Sequence, residues 1–153
     1  MAKPVIQPQW LPIFRKNLFL LLPFFLMGIR SQAQTAVTWN GSVSSDWFNA
    51  DNWDGPIFPI GPAFRAVIPD VGNDPVLSGD NILYDVLILE GAHLTIEEDV
   101  NLTLQPSMPN GGLGILLNAG TVTNHGNIAI SSTSGIVQDG IHNLGSFNNE
   151  QGS

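Results

Sequence analysis

From Thr35 onward, apolar and polar residues alternate in runs of three to five, and each run is broken by Gly, Asn, Asp or Pro. No stretch beyond Ala33 keeps a 3.6-residue apolar period for a dozen residues, so helices are not expected there. The alternation predicts short strands. They are Thr35–Trp39, Phe64–Ile68, Leu87–Leu89, Leu94–Ile96, Leu102–Leu104, Leu113–Leu117, Thr121–Thr123, Asn127–Ser131, Gly135–Gln138 and Ser146–Asn148. Pro69 ends the second of them. Ile88, Ile96 and Leu104 stand eight residues apart, with "EGAH" and "EEDVN" as the turns between.

Strands this short and close suit a β-sandwich or a β-solenoid. Sequence repetition separates the two. Asn118–Asn124 ("NAGTVTN") and Asn143–Asn149 ("NLGSFNN") share the phrase Asn-x-Gly-x-apolar-x-Asn. Asn124-His-Gly126-Asn-Ile128 starts it again in between, and Asn149-Glu-Gln-Gly152 opens it once more before Ser153. The two full copies recur at a period of about 25 residues, near one coil of a right-handed parallel β-helix, whereas a sandwich has no reason to repeat the phrase. Val122, Ile128 and Phe147 are expected to point inward and stack from coil to coil. Gly120, Gly126 and Gly145 are expected at bends, often with positive φ. Asn118, Asn124, Asn143 and Asn149 are expected to form amide ladders between coils. The expected fold is therefore all-β, a right-handed parallel β-helix or solenoid with an N-terminal Trp-rich cap, and a β-sandwich is the alternative.

The segment ahead of Gln34 follows other rules. Lys3, Arg15 and Lys16 precede the apolar run Leu18–Ile29, which Pro23 interrupts. The run falls short of the roughly 20 residues that a membrane span requires. Ser31-Gln-Ala33 follows, with small residues where a signal peptidase reads. Residues 1–33 are thus expected to be a signal peptide, with Gln34 as the mature N-terminus and secretion or surface exposure as the destination. Residues 34–62 form a Trp/Asp/Pro-rich capping region in this reading, and residues 63–153 form the coils. The unfinished phrase at Asn149 implies a solenoid that continues beyond this chain.

Removing the leader changes the charge. It takes away four of the five basic residues and leaves Arg65 against thirteen acidic ones, a formal charge of −12 where the whole chain has −8. Such a surface repels nucleic-acid phosphates and anionic lipid headgroups, so neither nucleic-acid binding nor membrane insertion is expected after cleavage. No cysteine is present, so no disulfide staples the fold.

Trp39-Asn-Gly41, Asp46-Trp47 and Asp51-Asn-Trp53, followed by prolines and Ala66-Val-Ile-Pro69, resemble an N-terminal module of large bacterial secreted proteins. Gly91–Leu104 resembles the strand pairs that follow that module. "NAGTVTNHGNIAI" resembles the Asn/Gly repeats of adhesin-like, haemagglutinin-like β-solenoid surface proteins. The resemblance spans Val37 to the end. It implies a non-catalytic structural or adhesive segment of an exported surface protein, with an extracellular glycan or another cell surface as partner. A different class of function, the non-catalytic N-terminal part of a carbohydrate-active β-helix enzyme, is the alternative.

Candidate chemistry is sparse. Asp46, Asp51 and Asp54 read as turn and cap residues rather than an acid–base pair. Glu97-Glu98-Asp99 reads as a solvated turn, and His93, His125 and His142 lack metal-ligand spacing. Asp70, Asn73 and Asp74 offer oxygen ligands for Ca2+ in one tight turn, without the EF-hand pattern. Trp39, Trp47 and Trp53 either plug the end of the solenoid or stack on sugar rings. The sequons at Asn40 and Asn101 carry no weight in a bacterial protein. The chain is not expected to be an enzyme.

Overall fold

The computed structural model describes residues 34–55, 57–105, 116–131 and 140–150. The signal-peptide expectation, the strand expected at Gly135–Gln138 and the glycine at 152 lie outside the described residues. Of the described residues, none forms an α-helix. Twelve strands and one 3-10 turn, Ala50–Asn52, follow one another. The strands build a parallel β-solenoid of about four turns. Parallel pairing excludes the sandwich, whose sheets are antiparallel.

Three faces recur on each coil. The first face stacks β1 (Thr35–Trp39), β3 (Gly61–Ile68), the second half of β5 (Asn81–Ile88), β8 (Leu116–Asn118) and β11 (Ile141–Asn143). The second stacks β4 (Val76–Leu77), β6 (His93–Ile96), β9 (Thr121–Asn124) and β12 (Ser146–Asn149). The third stacks the first half of β5, β7 (Asn101–Leu104) and β10 (Asn127–Ile130). β5 therefore rounds a corner at Tyr84. Its start pairs with β7 and its end with β8.

The Trp-rich region at the end of the solenoid also carries a rung of its own. β1 already pairs in parallel with β3, and Asp46 bridges Val76 in parallel on the second face, so the first coil lies inside residues 34–62. The true edge cover is β2 (Trp53–Asp54), which pairs antiparallel with the last two residues of β1. A strand edge left bare invites foreign pairing, and β2 shields part of it.

The period is elastic. Val37, Ala66, Val86, Leu116 and Ile141 succeed one another in register on the first face. The step from Ala66 to Val86 is the shortest of the four, and the next, from Val86 to Leu116, is the longest. The longer steps leave the rungs in register. Inward positions form continuous apolar columns, such as Leu94–Val122–Phe147 and Leu83–Leu104–Ile130. Leu94, Val122, Leu83 and Leu104 are fully buried. Each buried aliphatic side chain of this kind contributes about 1.5–3 kcal/mol by leaving water.

Two columns change chemistry halfway. On the first face Ile68 and Ile88 are followed by Asn118 and Asn143. On the second face Leu77 and Ile96 are followed by Asn124 and Asn149. The switch falls at the same coil in both, and the corners shorten with it. Ile88 and His93 enclose four residues where Asn118 and Thr121 enclose two, and Ile96 and Asn101 enclose four where Asn124 and Asn127 enclose two.

This shortening explains the glycines of the repeated phrase, and it corrects the expectation of positive φ. Among the described residues, the glycines with positive φ are Gly41, Gly61 and Gly91, none of them in the phrase. The phrase glycines are needed for close approach instead. A Cβ on Gly120 would lie 2.2 Å from the Ala92 carbonyl oxygen, one on Gly126 2.3 Å from that of Val100, and one on Gly145 2.0 Å from that of Gly120. Each tight corner tucks under the carbonyls of the corner before it.

Gly120→Ala is therefore expected to destabilise the fold by about 2–3 kcal/mol, because backbone must move to admit the methyl group. A Cβ on Gly72 meets nothing within 4 Å. Gly72→Ala should be neutral or stabilise by about 0.4–1 kcal/mol through the unfolded chain. Urea denaturation of both variants checks the pair, and equal effects would refute the close-approach explanation.

Candidate functional site

Trp39, Trp47 and Trp53 are 0%, 0% and 3% exposed. Trp39 and Trp53 meet edge to face at 5.0 Å between ring centroids, and Trp47 and Trp53 at 4.7 Å. The Trp39 indole donates to the Asn73 carbonyl at 2.6 Å, and the Trp53 indole to the Trp47 carbonyl at 2.8 Å. Stacking on a pyranose needs an open indole face. These three rings have none, so the glycan-contact reading of Trp39, Trp47 and Trp53 is corrected to a packing role.

The residues between the tryptophans hold the first coil closed. Asn52 is fully buried, and its amide oxygen accepts from the Val43 and Ser44 amides, both at 2.9 Å. Its amide nitrogen donates to Ser44 Oγ and to the Asp46 carbonyl, also at 2.9 Å. Gly41 has φ +56 and stands so close to the Asn73 carbonyl that a Cβ would lie 2.6 Å from it. Asp46 accepts from the Phe48 amide, and Asp54 from the Asn40 side chain. Asp46, Asp51 and Asp54 thus serve the local backbone of the first coil: Asp46 at its bridge to Val76, Asp51 in the 3-10 turn and Asp54 in β2, and the Asp51 amide donates to the Asn49 side chain.

The Ca2+ candidates are engaged between coils. Asn73 Nδ2 donates to the Gly41 carbonyl at 2.6 Å, tying the second coil to the first. Asp74 accepts from the His93 amide at 3.3 Å, tying the second to the third. Asp70 stands beside Gly91, where a Cβ would lie 2.7 Å from its carboxylate. Among the described residues, no group of three or more His, Asp and Glu side chains is placed to hold a metal ion. The three histidines stay apart. His93 Nε2 meets Thr123 Oγ1 at 2.9 Å, His125 faces Glu150 at 3.9 Å, and His142 is exposed.

The asparagines of the repeat bond across coils. Asn118 Nδ2 donates to Asn143 Oδ1 at 2.7 Å and to the Ser146 carbonyl at 2.8 Å, while its Oδ1 accepts from the Gly120 amide. Asn124 Nδ2 donates to Asn149 Oδ1 at 2.7 Å. Two further ties were not singled out from sequence. Asp80 accepts from the Asn101 amide at 2.7 Å, and Asn127 Nδ2 donates to Asn101 Oδ1 at 3.2 Å, an outer ladder across three coils. Asp85, 3% exposed, accepts from Arg65 Nε at 2.7 Å and Gln34 Nε2 at 2.8 Å, and its second oxygen pairs with Arg65 Nη2. The hydrogen bond to Asp85 raises the Arg65 pKa. The signals existed: Asp80, Asn101 and Asn127 recur at near-coil spacing, and Arg65 and Asp85 stand one short coil apart.

With these groups committed, the outward rows of the second face remain, where His93 Nε2 meets Thr123 Oγ1 and the other side chains face outward. On the second face His93, Thr121 and Ser146 form one outward row, and Thr95, Thr123 and Asn148 the next. Neighbouring rungs of a parallel sheet stand about 4.8 Å apart, so the rows make a flat, evenly spaced polar strip. At the corner beyond it, the long Glu97–Val100 turn overhangs the shorter His125–Gly126 turn. The mismatch opens a polar cleft of about 400 Å³ lined by Glu98, Asp99, Asn101, His125 and Asn127. No protein-family model, curated protein or solved structure matches the chain.

The outer ladder makes a pH prediction. The Asn101 amide and then its side chain, both donating to Asp80, hold that carboxyl below its ordinary value. A depressed folded pKa stabilises above the unfolded value, about 3.9, and the contribution is lost as pH falls through the folded value. Stability should therefore decline on acidification below about pH 4, and Asp80→Asn should flatten that decline. Urea midpoints at stepped pH check this, and an unchanged slope in the variant would contradict it.

Proposed function

We propose that this chain is a non-catalytic structural or adhesive segment of an exported bacterial surface protein. The observation that carries the reading is where the polar side chains go. Asn118, Asn124, Asn81, Asp85 and Asn52, the buried polar side chains among the described residues, all serve to tie coil to coil or to close the first coil. A chain that spends its buried polar groups on stacking is organised as a scaffold. The resemblance of its Trp and Asn/Gly motifs to adhesin-like solenoids supports export, and so does the leader-like segment ahead of Gln34.

The flat polar strip on the second face is the contact surface in this reading. Thr121, Thr123, Ser146 and Asn148 present hydroxyls and amides in register, suited to hydrogen bonding with the hydroxyls of an extracellular glycan. The purified secreted chain, coupled to beads, is expected to retain glycans or cells. The double variant Thr121→Val, Thr123→Val keeps β-branched side chains and should lower retention at least five-fold at an unchanged melting temperature. Release of reducing ends from polysaccharides by the chain, or retention indifferent to the double variant, would contradict the proposal.

A further inference from the structure

Asn40 is followed by Gly41. In such a pair the side-chain amide is open to attack by the next backbone nitrogen, because glycine has no Cβ to hinder the approach. A second such pair, at 110–111, lies outside the described residues. At Asn40 every group that the reaction uses is held. The nitrogen that attacks, that of Gly41, donates its hydrogen to the Asn52 carbonyl at 3.2 Å, and Asn52 is fully buried. That carbonyl is no base and cannot take the proton away. The side-chain nitrogen that leaves donates to Asp54 at 3.0 Å. A carboxylate accepts hydrogen bonds and has no proton to give the departing nitrogen. The side-chain oxygen of Asn40 accepts from the Ser42 amide at 2.9 Å, closing an Asx turn around Gly41. That last bond alone would favour attack by stabilising charge on the oxygen, and the other two oppose it. The Gly41 backbone has no slack. Its carbonyl accepts from Asn73 Nδ2 at 2.6 Å, and its φ is +56.

We propose that Asn40 is a deamidation site which the first coil keeps locked, and that its conversion opens that coil one way. In the reaction the Gly41 nitrogen bonds to Cγ of Asn40, and the bond from Cγ to Nδ2 breaks. The Gly41 amide proton ends, by way of water, on the departing nitrogen, which leaves as ammonia. Water then opens the five-membered imide at either carbonyl and gives aspartate or isoaspartate at position 40. Both products undo the lock. A carboxylate at position 40 has no hydrogen to donate to Asp54, and two like charges at that range repel. The isoaspartyl form also adds a methylene to the main chain ahead of Gly41. Gly41 cannot shift without losing its bonds to Asn73 and Asn52. The bond from Asn73 to Gly41 ties the second coil to the first, so the converted chain cannot restore that tie.

The test incubates the full chain in mildly alkaline buffer, folded and in urea, and follows position 40 by peptide mapping for acid and isoaspartate. Conversion is expected at least ten-fold slower in the folded chain. Asp54→Ala frees the leaving nitrogen and should raise the folded rate at least three-fold. A second pair of variants reads the lock without waiting for the chemistry. Asn40→Asp reproduces one product and should lower the urea midpoint. Adding Asp54→Asn reverses donor and acceptor and should restore it. Equal conversion in folded and unfolded chains would overturn the proposal. So would a folded rate indifferent to Asp54→Ala, or a midpoint that the reversed pair fails to restore.

Discussion

The spacing between parallel rungs governs this molecule. Backbone hydrogen bonds fix it at about 4.8 Å, and every side chain and every corner must fit within that interval. On the faces the requirement is met by alternation, since inward residues stack on their own kind and outward residues on theirs. At the corners the chain turns while another corner lies directly above and below. There the spacing leaves two solutions, and both occur in this chain.

In the third coil the corners are wide. Four residues bridge Ile88 to His93 and Ile96 to Asn101, and the inward isoleucines fill the space beneath. After Asn118, Asn124 and Asn143 the corners are tight. Two residues suffice, the inward position becomes asparagine, and the second bridging residue becomes glycine. The substitutions belong together. A shorter corner brings carbonyls onto the chain below, which excludes a Cβ, and turns amide groups inward, where they need a partner. Asn118 supplies the partner for the Gly120 amide and still has a nitrogen free to reach the next rung. The repeated phrase is thus the spelling of a tight corner rather than of a strand.

Much of this was legible beforehand. Strands with two-residue alternation, such as Leu94–Ile96 and Leu102–Leu104, fall inside β6 and β7, because burial of one face leaves its mark on the sequence. The interval from Asn118 to Asn143, partners in register on β8 and β11, is one coil. Three features were not legible. β4 and β11 are too short or too polar to stand out, since pairing with neighbours rather than propensity makes them strands. The first coil hid inside the Trp-rich region, whose wide loop dilutes the alternation. The reason for the phrase glycines was misread, because a close approach between distant corners leaves no local trace. At the candidate site, the burial of Trp39, Trp47 and Trp53 depends on three rings converging from β1, β2 and the loop between them, which spacing along the chain does not reveal.

The account stands or falls on the asparagines at tight corners. Asn118 continues a column of Ile68 and Ile88, so by apolar stacking alone a leucine there should improve the core. If the corner instead depends on the side-chain amide, Asn118→Leu leaves the Gly120 amide and the Ser146 carbonyl without their bonds. The Gly120 bond is buried, and an orphaned buried group costs about 1–3 kcal/mol. The direct measurement is the unfolding free energy of Asn118→Leu from urea denaturation. The account predicts a clear loss, about 2 kcal/mol or more, and unchanged or increased stability would contradict it.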